Sequence, residues 1–424
     1  MSLLSLRNDP TRFRWVRLAA GIVAMMAVAN LQYAWTLFTT PLASALNVDL
    51  ATVQWAFTCF VCTQTAAMPG IGYIVDRYGP RLIVSVAALA VAGSWIWAGS
   101  THSIAGLYVA YSIGGLGVGA VYGACVGEAA KWFPDRRGLC VGATVGAYCF
   151  GVALTVIPIA RMIDTVSYAK AFVMWGIIQG CVVLIAAQLI AAPPREWLAS
   201  WRVKSVEHPS LAPLSSRDYT PGEMLKSPAF YMLYAMMTLV AFGGLMVTAQ
   251  LRPIAQSYGY DRYLILGAFT GLQIALLLDG VFNGMARPLW GWISDHIGRY
   301  ETMALAFGFE AAAIAGFCLT IHNPRAFVVM SGLAFLAWGE IYSLFPAVIV
   351  DLFGSKYATT NFSLQYTSKG VASVLAGPGA VFLFSTAHSW QPVLLAAMLC
   401  NVLAAALAML WLRPRMRGTI TVTA

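Results

Sequence analysis

The stretch GYIVDRYGPR (72–81) returns later in the chain as GWISDHIGRY (291–300), at an offset of 219 residues. Each copy places an aspartate four residues after a glycine and a second glycine three residues further on, with an arginine close by. The glycines permit close packing and a tight turn, and the aspartate can form a salt bridge at a helix end. The same offset aligns KWFPDRRG (131–138) with VDLFGSKY (350–357), so the chain is predicted to consist of two related halves.

The composition is that of a membrane protein. Of the 424 residues, 59% are hydrophobic and only 10% are charged, whereas soluble domains carry about 25% charged residues. The N-terminal stretch MSLLSLRNDPTRFRWVR (1–17) is polar and basic, so we expect no cleavable signal peptide. The eight cysteines show no spacing typical of a disulfide framework, and Cys59 and Cys62 are interpreted as small apolar side chains of a helix.

Stretches of about 20 mostly apolar residues, the length that a helix needs to cross a bilayer, predict twelve membrane spans. Lysine and arginine are concentrated in alternate loops, with 19 on the side that holds both termini and 5 on the other. Because cytoplasmic loops carry the excess of positive charge, both termini are predicted to be cytoplasmic. This topology also accounts for the net charge of +9 without nucleic acid as a partner. The predicted spans are 16–38, 52–74, 81–99, 104–128, 138–160, 170–192, 229–250, 264–292, 301–321, 326–350, 361–386 and 391–412.

A polar segment separates the first six spans from the last six. It is rich in proline, serine and charge, which is typical of a linker outside the membrane. We therefore predict an N-terminal six-helix bundle over 1–192, a cytoplasmic linker over 193–228 and a C-terminal six-helix bundle over 229–424. Internal repeats of this kind are common in secondary transporters, whose substrate site lies between the repeats near the middle of the membrane.

The two repeated loops resemble those of the major facilitator superfamily between helices 2 and 3 and between helices 8 and 9. The resemblance implies an all-α membrane protein with twelve transmembrane helices in two six-helix halves. It also implies transport by rocker-switch alternating access, with gating or structural roles for the charged residues of the loops. These residues are Asp76, Arg77, Asp295 and Arg299.

Two basic residues, Arg287 and Lys369, fall inside predicted spans rather than in loops. A charge at mid-membrane costs at least about 2.5 to 3.5 kcal/mol, so such residues usually mark a functional site. Arg287 lies eight residues before Asp295 and Lys369 eight residues after Asn361, which puts each about 12 Å from the cytoplasmic end of its helix. Two cations at one depth repel each other unless an anion binds between them, and this pattern predicts an anion carrier.

Buried acids offer the alternative explanation, in which they neutralise the two cations within the protein. Asp279 lies eight residues from Arg287 on the same helix, about 12 Å away and too far for a direct pair. The superfamily resemblance places Glu310 on a peripheral helix, and Glu340 could lie nearer. On a regular helix Glu340 faces away from the aromatic residues two positions to either side. Three roles stay open for it: a protonated packing residue, a partner of Lys369, or a proton-coupling residue.

Aromatic and amide side chains of other spans are candidates to complete the site. Trp338 and Tyr342 are four residues apart, so they share one face of a helix. Aromatic rings can wall a small anion, donate hydrogen bonds through tyrosine hydroxyls and support a neighbouring cation. Helix packing is the alternative interpretation for each of them. The further candidates are Gln32, Tyr33 and Tyr122.

Six motifs, in order along both halves, resemble the oxalate:formate antiporter family. The resemblance implies an arginine and a lysine that clamp a small carboxylate, matching Arg287 and Lys369, and it implies that the five aromatic and amide candidates line the site. Glu340 departs from the pattern, because the family's oxalate carrier has glycine there. The motifs are LQYAWTLFTTPL (31–42), VYG (121–123), KWFPDRRGL (131–139), NGMARPLWGWISDHIGRY (283–300), WGEIYSLFP (338–346) and YTSKGVAS (366–373).

The sequence therefore predicts a secondary transporter of small organic carboxylates, an exchanger of the oxalate:formate type. A dianion such as oxalate would neutralise both cations, whereas an acid that compensates one cation favours a monoanion such as formate, lactate or pyruvate, with or without a proton. A membrane anion sensor is the alternative from a different functional class. The sequence contains no nucleotide loop, metal cluster or nucleophile–base arrangement that would suggest an enzyme or a cofactor. The expected partners are these carboxylates and the lipid bilayer, not nucleic acid. The expected form is a monomeric, multi-pass protein of the cytoplasmic (inner) membrane.

Overall fold

Two compact units make up the part of the chain that the structure describes. The first consists of the chain up to Pro221 together with Ile349–Leu364, and the second consists of Gly222–Val348 together with the residues from Gln365 onward. Both termini and much of the predicted linker lie outside the described residues, so the linker bounds and the orientation of the termini stay predictions. The computed structural model describes residues 10–194, 196–197, 201, 217–266 and 269–412.

Helices form nearly all of the first unit. The first span is interrupted at Ala29 and Ala34, so it comprises three successive helices rather than the single helix predicted over 16–38. The second span begins at Asp49, whose side chain accepts a hydrogen bond from the Thr52 backbone N–H at 3.1 Å. The hydrogen bonds from Thr52 lower the pKa of the Asp49 carboxyl below its usual value. The helices are α1 (Pro10–Val28), α2 (Asn30–Tyr33), α3 (Trp35–Leu46), α4 (Leu50–Tyr78), α5 (Pro80–Ser100), α6 (Ile104–Trp132), α7 (Arg137–Thr165) and α8 (Tyr168–Leu189).

The second unit contains most of the remaining helices and one short antiparallel hairpin. The hairpin pairs Leu264 with Thr270 and occupies the start of the span predicted over 264–292, so that prediction was wrong there and the helix begins at Gly271. The helix begins there because of a capping box. The Thr270 side chain accepts a hydrogen bond from the Gln273 backbone N–H, and the Gln273 side chain accepts one from the Thr270 backbone N–H. The elements are α9 (Pro221–Met224), α10 (Pro228–Ser257), β1 (Leu264–Leu266), β2 (Phe269–Thr270), α11 (Gly271–Ile297), α12 (Arg299–Thr320), α13 (Pro324–Trp338), α14 (Ile341–Phe353), α15 (Ala358–Ala387), α16 (Gln391–Leu407) and a π-helical turn (Ala408–Leu412).

Ten helical segments of the described chain are long and apolar enough to cross a membrane. The other two predicted spans correspond to α4 and α11, which are 29 and 27 residues long. Polar side chains such as Gln64 and Arg287 lower the hydropathy of these two helices. The tenth span is interrupted like the first, because α13 ends at Trp338 and α14 begins at Ile341. Each of the twelve predicted spans therefore corresponds to at least one helix of the structure.

Aromatic rings from four spans form a buried cluster in the first unit. The rings of Phe38 and Phe172 stack with their centres 3.8 Å apart, and Trp95 meets Phe172 edge-on at 5.2 Å. Trp35 meets Tyr111 edge-on at 4.4 Å. Because lipid tails are as apolar as core side chains, close packing of this kind rather than a hydrophobic driving force holds membrane helices together.

The two repeated loops have the tight turns that their glycines predicted. Gly79 ends α4 with φ +88°, and Gly298 ends α11 with φ +100°. Residues with a side chain rarely adopt this region of backbone conformation, whereas glycine does so readily. The sequence repeat is therefore also a repeat of backbone geometry within each unit.

We expect Gly79→Ala to lower the melting temperature of the purified protein in detergent. A side chain forced to φ +88° and ψ 159° costs about 1–3 kcal/mol. An added Cβ would meet nothing within 4 Å, so the effect would come from the backbone alone. Gly93→Ala is the matched control, because its Cβ also meets nothing within 4 Å but lies inside α5, where alanine is favoured. Equal melting temperatures for the two variants would contradict the strain argument.

Candidate substrate site

Arg287, the cation of α11, contacts a residue of its own helix and an aromatic ring of α14. Arg287 is only 3% exposed. Its Nη2 donates a hydrogen bond to Asn283 Oδ1 at 3.0 Å, one helical turn back, and its Cζ lies 4.5 Å from the centre of the Tyr342 ring. These two contacts fix the direction of the guanidinium, which stays protonated at any physiological pH.

Lys369, the cation of α15, contacts the same Tyr342 ring. Lys369 Nζ lies 5.1 Å from the centre of the Tyr342 ring and 5.3 Å from that of the Tyr366 ring. It also donates a hydrogen bond to the Tyr366 hydroxyl at 3.1 Å. Because Tyr366 is one turn before Lys369 on α15, this bond holds the lysine side chain along its own helix.

Two predicted substrate-binding cations, carried by different helices, therefore meet at one aromatic ring. Arg287 Cζ and Lys369 Nζ both lie within 5.1 Å of the centre of the Tyr342 ring, so their separation cannot exceed the sum of the two ring distances. Two positive charges this close repel each other, and more strongly in an apolar interior than in water. A carboxylate bound beside the ring would interact with both cations.

A close approach of two helices brings Tyr342 to this position. Gly339 lies in the interruption between α13 and α14, where a Cβ would stand 2.8 Å from the Asn283 carbonyl oxygen and 2.6 Å from Ala286 Cβ. Glycine is thus required for this segment to pack against α11. Trp338 and Tyr342, on either side of the interruption, meet edge to face with ring centres 5.9 Å apart. The structure confirms that these two residues share a face.

Three acids of the second unit, Asp279, Glu310 and Glu340, are buried, with exposed fractions of 4%, 1% and 0%. Among the described residues, none of their carboxyl oxygens has a hydrogen-bond partner at normal geometry. A hydrogen-bonded pair with Lys369, one of the three roles considered for Glu340, is therefore not formed. In the part of the chain that the structure describes, no three histidine, cysteine or acidic side chains come together as metal ligands.

The predicted ligands of the first unit gather around a tyrosine that sequence reasoning did not single out. Tyr148, on α7, donates its hydroxyl proton to Gln32 Oε1 at 2.9 Å. The centre of its ring lies 5.4 Å from that of Tyr33 and 5.8 Å from that of Tyr122. The short helix α2 carries Gln32 and Tyr33 on a single turn. The structure brings the three predicted residues together, and Tyr148 joins them as a candidate.

Sequence reasoning also missed Asn283 and Tyr366, which hold the two predicted cations. Asn283 is four residues before Arg287, and Tyr366 is three residues before Lys369. These are the spacings at which side chains of one helix meet, and that signal would have found both residues. Tyr148 gave no such signal, because a lone tyrosine in an apolar span has the pattern of a packing residue.

The aspartate of the first repeated loop binds the start of α15. Asp76 accepts hydrogen bonds from the Thr360 N–H at 2.8 Å and the Thr360 hydroxyl at 2.7 Å, and it pairs with Lys131 Nζ at 2.8 Å. A carboxylate is favourable there, because the first N–H groups of a helix carry partial positive charge. Arg77, in contrast, is exposed and donates a hydrogen bond to the Tyr73 hydroxyl at 3.3 Å.

The second repeated loop has different contacts. Asp295 pairs with Arg299 at 2.6 Å inside the loop, and Arg299 also donates to the Ser294 hydroxyl at 2.6 Å. In the first unit, an ion pair between Arg137 and Asp351 joins the start of α7 to the end of α14. The gating roles of the loop residues stay predictions.

Comparison with known proteins settles the class. The family model described as Major Facilitator Superfamily matches residues 20–376, and a second match covers residues 269–422. Together with the helical spans and the repeated loops, this match shows that the chain belongs to the major facilitator superfamily of membrane transporters. The predicted fold class is confirmed, and the protein is a multi-pass membrane protein.

The chain is 34% identical over 396 residues to the oxalate:formate antiporter of Oxalobacter formigenes, which covers 93% of this chain and 90% of that protein. The family resemblance carried by the six motifs is thereby confirmed. The solved human organic anion transporter MFSD10 (TETRAN) matches with a TM-score of 0.70 over 95% of this chain and 100% of that one, at 13% identity. The proton:xylose symporter XylE matches with a TM-score of 0.65 over 94% and 95%, at 14% identity. These two structures show the fold alone.

Proposed function

We propose that this protein exchanges small organic carboxylates across the membrane, with oxalate and formate as its substrates. The observation that carries the proposal is the convergence of Arg287 and Lys369 on the ring of Tyr342. Arginine offers two parallel N–H donors that match the two oxygens of a carboxylate, and lysine adds a point charge for the same or a second carboxylate. The identity of 34% with an oxalate:formate antiporter supports this assignment.

The charge of the site gives a physical reason for exchange rather than one-way transport. Two cations beside one ring within the membrane are costly in free energy, because they repel each other and have lost their hydration. A bound carboxylate lowers this cost, so the loaded transporter would reorient more readily than the empty one. Oxalate would neutralise two positive charges and formate one.

A proton-coupled monocarboxylate transporter is the second candidate, and the buried acids favour it. If one of Asp279, Glu310 and Glu340 is charged, it offsets one of the two cations. The remaining positive charge would then suit a monoanion such as formate, lactate or pyruvate.

The loop contacts support the gating roles predicted for Asp76, Arg77, Asp295 and Arg299. The hydrogen bonds from Thr360 to Asp76 would have to break whenever the start of α15 leaves α4 during transport. Gln32, Tyr33 and Tyr122 remain proposed substrate ligands of the first unit, with Tyr148 added. The bacterial relative supports a location in the cytoplasmic (inner) membrane.

Counterflow in proteoliposomes tests the function. Vesicles are loaded with unlabelled formate, oxalate, lactate or pyruvate, and uptake of labelled oxalate and, separately, of labelled formate is followed with and without a pH gradient. We expect saturable oxalate uptake that internal formate stimulates. Uptake of labelled formate, but not of oxalate, that internal lactate or pyruvate stimulates and that depends on the pH gradient would instead support the second candidate. A folded protein that exchanges none of the four anions would refute both.

Loss of the ring that both cations share should impair transport more than loss of its hydroxyl. Tyr342→Phe keeps the two cation–ring contacts, and we expect counterflow within a few-fold of wild type. Tyr342→Leu removes both contacts, each worth about 0.5–2 kcal/mol, so uptake should fall about tenfold or more. Tyr231→Leu, at an exposed position on α10, is the control and should transport normally. Equal rates for Tyr342→Phe and Tyr342→Leu would contradict a role for the ring.

A further inference from the structure

Three helices of the second unit enclose a small cavity next to the aromatic wall of the candidate site. Its volume is about 10 Å³, which is about the least that a buried water molecule needs. Gly244 and Thr248 of α10, Glu310 of α12 and Trp338 of α13 line it. The polar groups of the cavity therefore come from three different helices. The rest of the lining is apolar and consists of Val247, Ile314, Ala334 and Phe335.

Two residues at this cavity carry buried polar atoms that have no hydrogen-bond partner among the described residues. These atoms are Nε1 of Trp338 and both carboxyl oxygens of Glu310. The two residues are 8% and 1% exposed, so bulk water does not reach these atoms. Buried polar groups in proteins are nearly always hydrogen-bonded, either to protein or to an ordered water molecule. The Trp338 donor and the Glu310 acceptors therefore need a partner that fits the cavity.

Thr248 adds a third polar group to the cavity. Its hydroxyl donates a hydrogen bond to the Gly244 carbonyl oxygen at 2.7 Å, one helical turn back, and a hydroxyl that donates one bond can still accept others. A single water molecule has the matching groups. It can accept the N–H of Trp338 and donate to a Glu310 oxygen and to the Thr248 hydroxyl. Three hydrogen bonds are typical of a buried water molecule.

Gly244 lets the indole nitrogen of Trp338 lie at the cavity. A Cβ at position 244 would overlap the indole, and Nε1 is the atom that it would meet first. The N–H edge of the indole therefore packs against the α10 backbone. The same indole meets the Tyr342 ring edge to face, and that ring lies beside both cations. Trp338 thus acts on the candidate site through the position of Tyr342, with its own donor buried at the cavity.

We propose that this cavity binds one water molecule, through which Glu310 positions Trp338 and, with it, the Tyr342 ring beside Arg287 and Lys369. The proposal rests on the proposed transport function, because its effect on a substrate passes through the two cations. Glu310 is then a positioning residue that fixes the indole and does not touch the substrate. This role needs the hydrogen-bonding groups of Glu310 rather than a charge. Glutamine should therefore replace it, whereas leucine should not.

The first test observes the indole directly and does not depend on transport. In protein whose tryptophan indole nitrogens carry the NMR-active isotope, the Trp338 N–H signal is the one that is missing from Trp338→Phe. We expect this signal to have the shift of a hydrogen-bonded N–H and a cross peak to bound water, in wild type and in Glu310→Gln. In Glu310→Leu the cross peak should disappear. A wild-type signal without a water cross peak, or an unchanged signal in Glu310→Leu, would overturn the proposal.

The second test measures the KM for oxalate and for formate in counterflow. Glu310→Leu should raise the KM about three- to tenfold, the range expected for one lost hydrogen bond. Because Trp338→Phe removes the other end of the same water link, Glu310→Leu should have no further effect in a protein that already carries Trp338→Phe. Glu310→Gln should keep a KM within about twofold of wild type. Effects of Glu310→Leu and Trp338→Phe that multiply, or a Glu310→Gln variant as impaired as Glu310→Leu, would contradict the positioning role.

Gly244→Ala displaces the indole without changing Glu310. Its Cβ would take the place of Trp338 Nε1, so the N–H signal should shift and the KM should rise as in Glu310→Leu. Gly308→Ala is the matched control, because its Cβ meets nothing within 4 Å inside α12, and it should keep wild-type values. A wild-type KM in Gly244→Ala would speak against the positioning of the ring.

The two tests separate failure of this proposal from failure of the transport function. If wild type exchanges no carboxylate, the transport function fails, and the indole signal still decides whether the cavity binds water. If wild type exchanges carboxylates and Glu310→Leu leaves the KM unchanged, the transport function stands and the positioning role of Glu310 fails.

Discussion

Arg287→Lys should reduce oxalate counterflow about tenfold to hundredfold, although the variant keeps its positive charge. Lysine cannot form two parallel hydrogen bonds to a carboxylate, and each hydrogen bond to a charged group is worth about 1.5–3 kcal/mol. It also cannot reproduce the donor geometry of the bond to Asn283, which aims the guanidinium at Tyr342. Initial rates over a range of external oxalate concentrations would separate a raised KM from a lowered maximal rate.

Arg325→Lys is the matched control for this variant. Arg325 lies in the first turn of α13 and is exposed, so the same substitution should leave counterflow unchanged. Melting temperatures of both variants would exclude a loss of folded protein. Wild-type kinetics in Arg287→Lys would mean that this side chain does not recognise a carboxylate, and the proposed function would lose its main support.

Lys369→Gln should abolish oxalate exchange and spare part of the formate flux. The dianion needs a second positive charge at the site, whereas a monoanion can bind to Arg287 alone. Glutamine keeps a polar side chain of similar length, so the change removes mainly the charge. The ratio of oxalate to formate uptake by the variant therefore reports how many charges the substrate brings, and we expect it to fall at least about tenfold, which corresponds to about 1.4 kcal/mol.

Lys170→Gln is the matched control for Lys369→Gln, because Lys170 is exposed at the start of α8. It should leave the oxalate to formate ratio unchanged. Normal oxalate uptake by Lys369→Gln would show that the two cations do not act together on one substrate. An equal loss of both fluxes would favour the monocarboxylate transporter, in which both cations serve one carboxylate.

The fold could be predicted from the sequence almost completely, and the exceptions have local causes. Hydropathy alone cannot show a break such as those at Ala29 and Gly339, because the mean over a span-length window stays apolar across the break. The hairpin before α11 was missed for a similar reason. LILGAFT (264–270) reads as part of a span, and only the capping box at Thr270 shows where the helix begins.

The candidate site likewise combines residues that the sequence indicates with contacts that only the structure shows. Arg287 and Lys369 stand out in the sequence because charge within an apolar span is rare and costly. Their convergence on Tyr342 depends on the interruption between α13 and α14 and on the close approach to α11 at Gly339 within it. No sequence periodicity predicts either feature. Tyr148 became a candidate only through its contacts with residues of other helices.

Sequence alone was enough to locate the twelve spans, the internal repeat and the two cations within the membrane. Hydropathy, charge and repetition are properties of short stretches, so they can be read without knowing how the helices pack. The packing of the helices was needed to show that Tyr342 lies beside both cations and that Glu310 and Trp338 line one cavity. These contacts join residues of different helices, and they depend on where small residues let helix backbones approach and where a helix is interrupted.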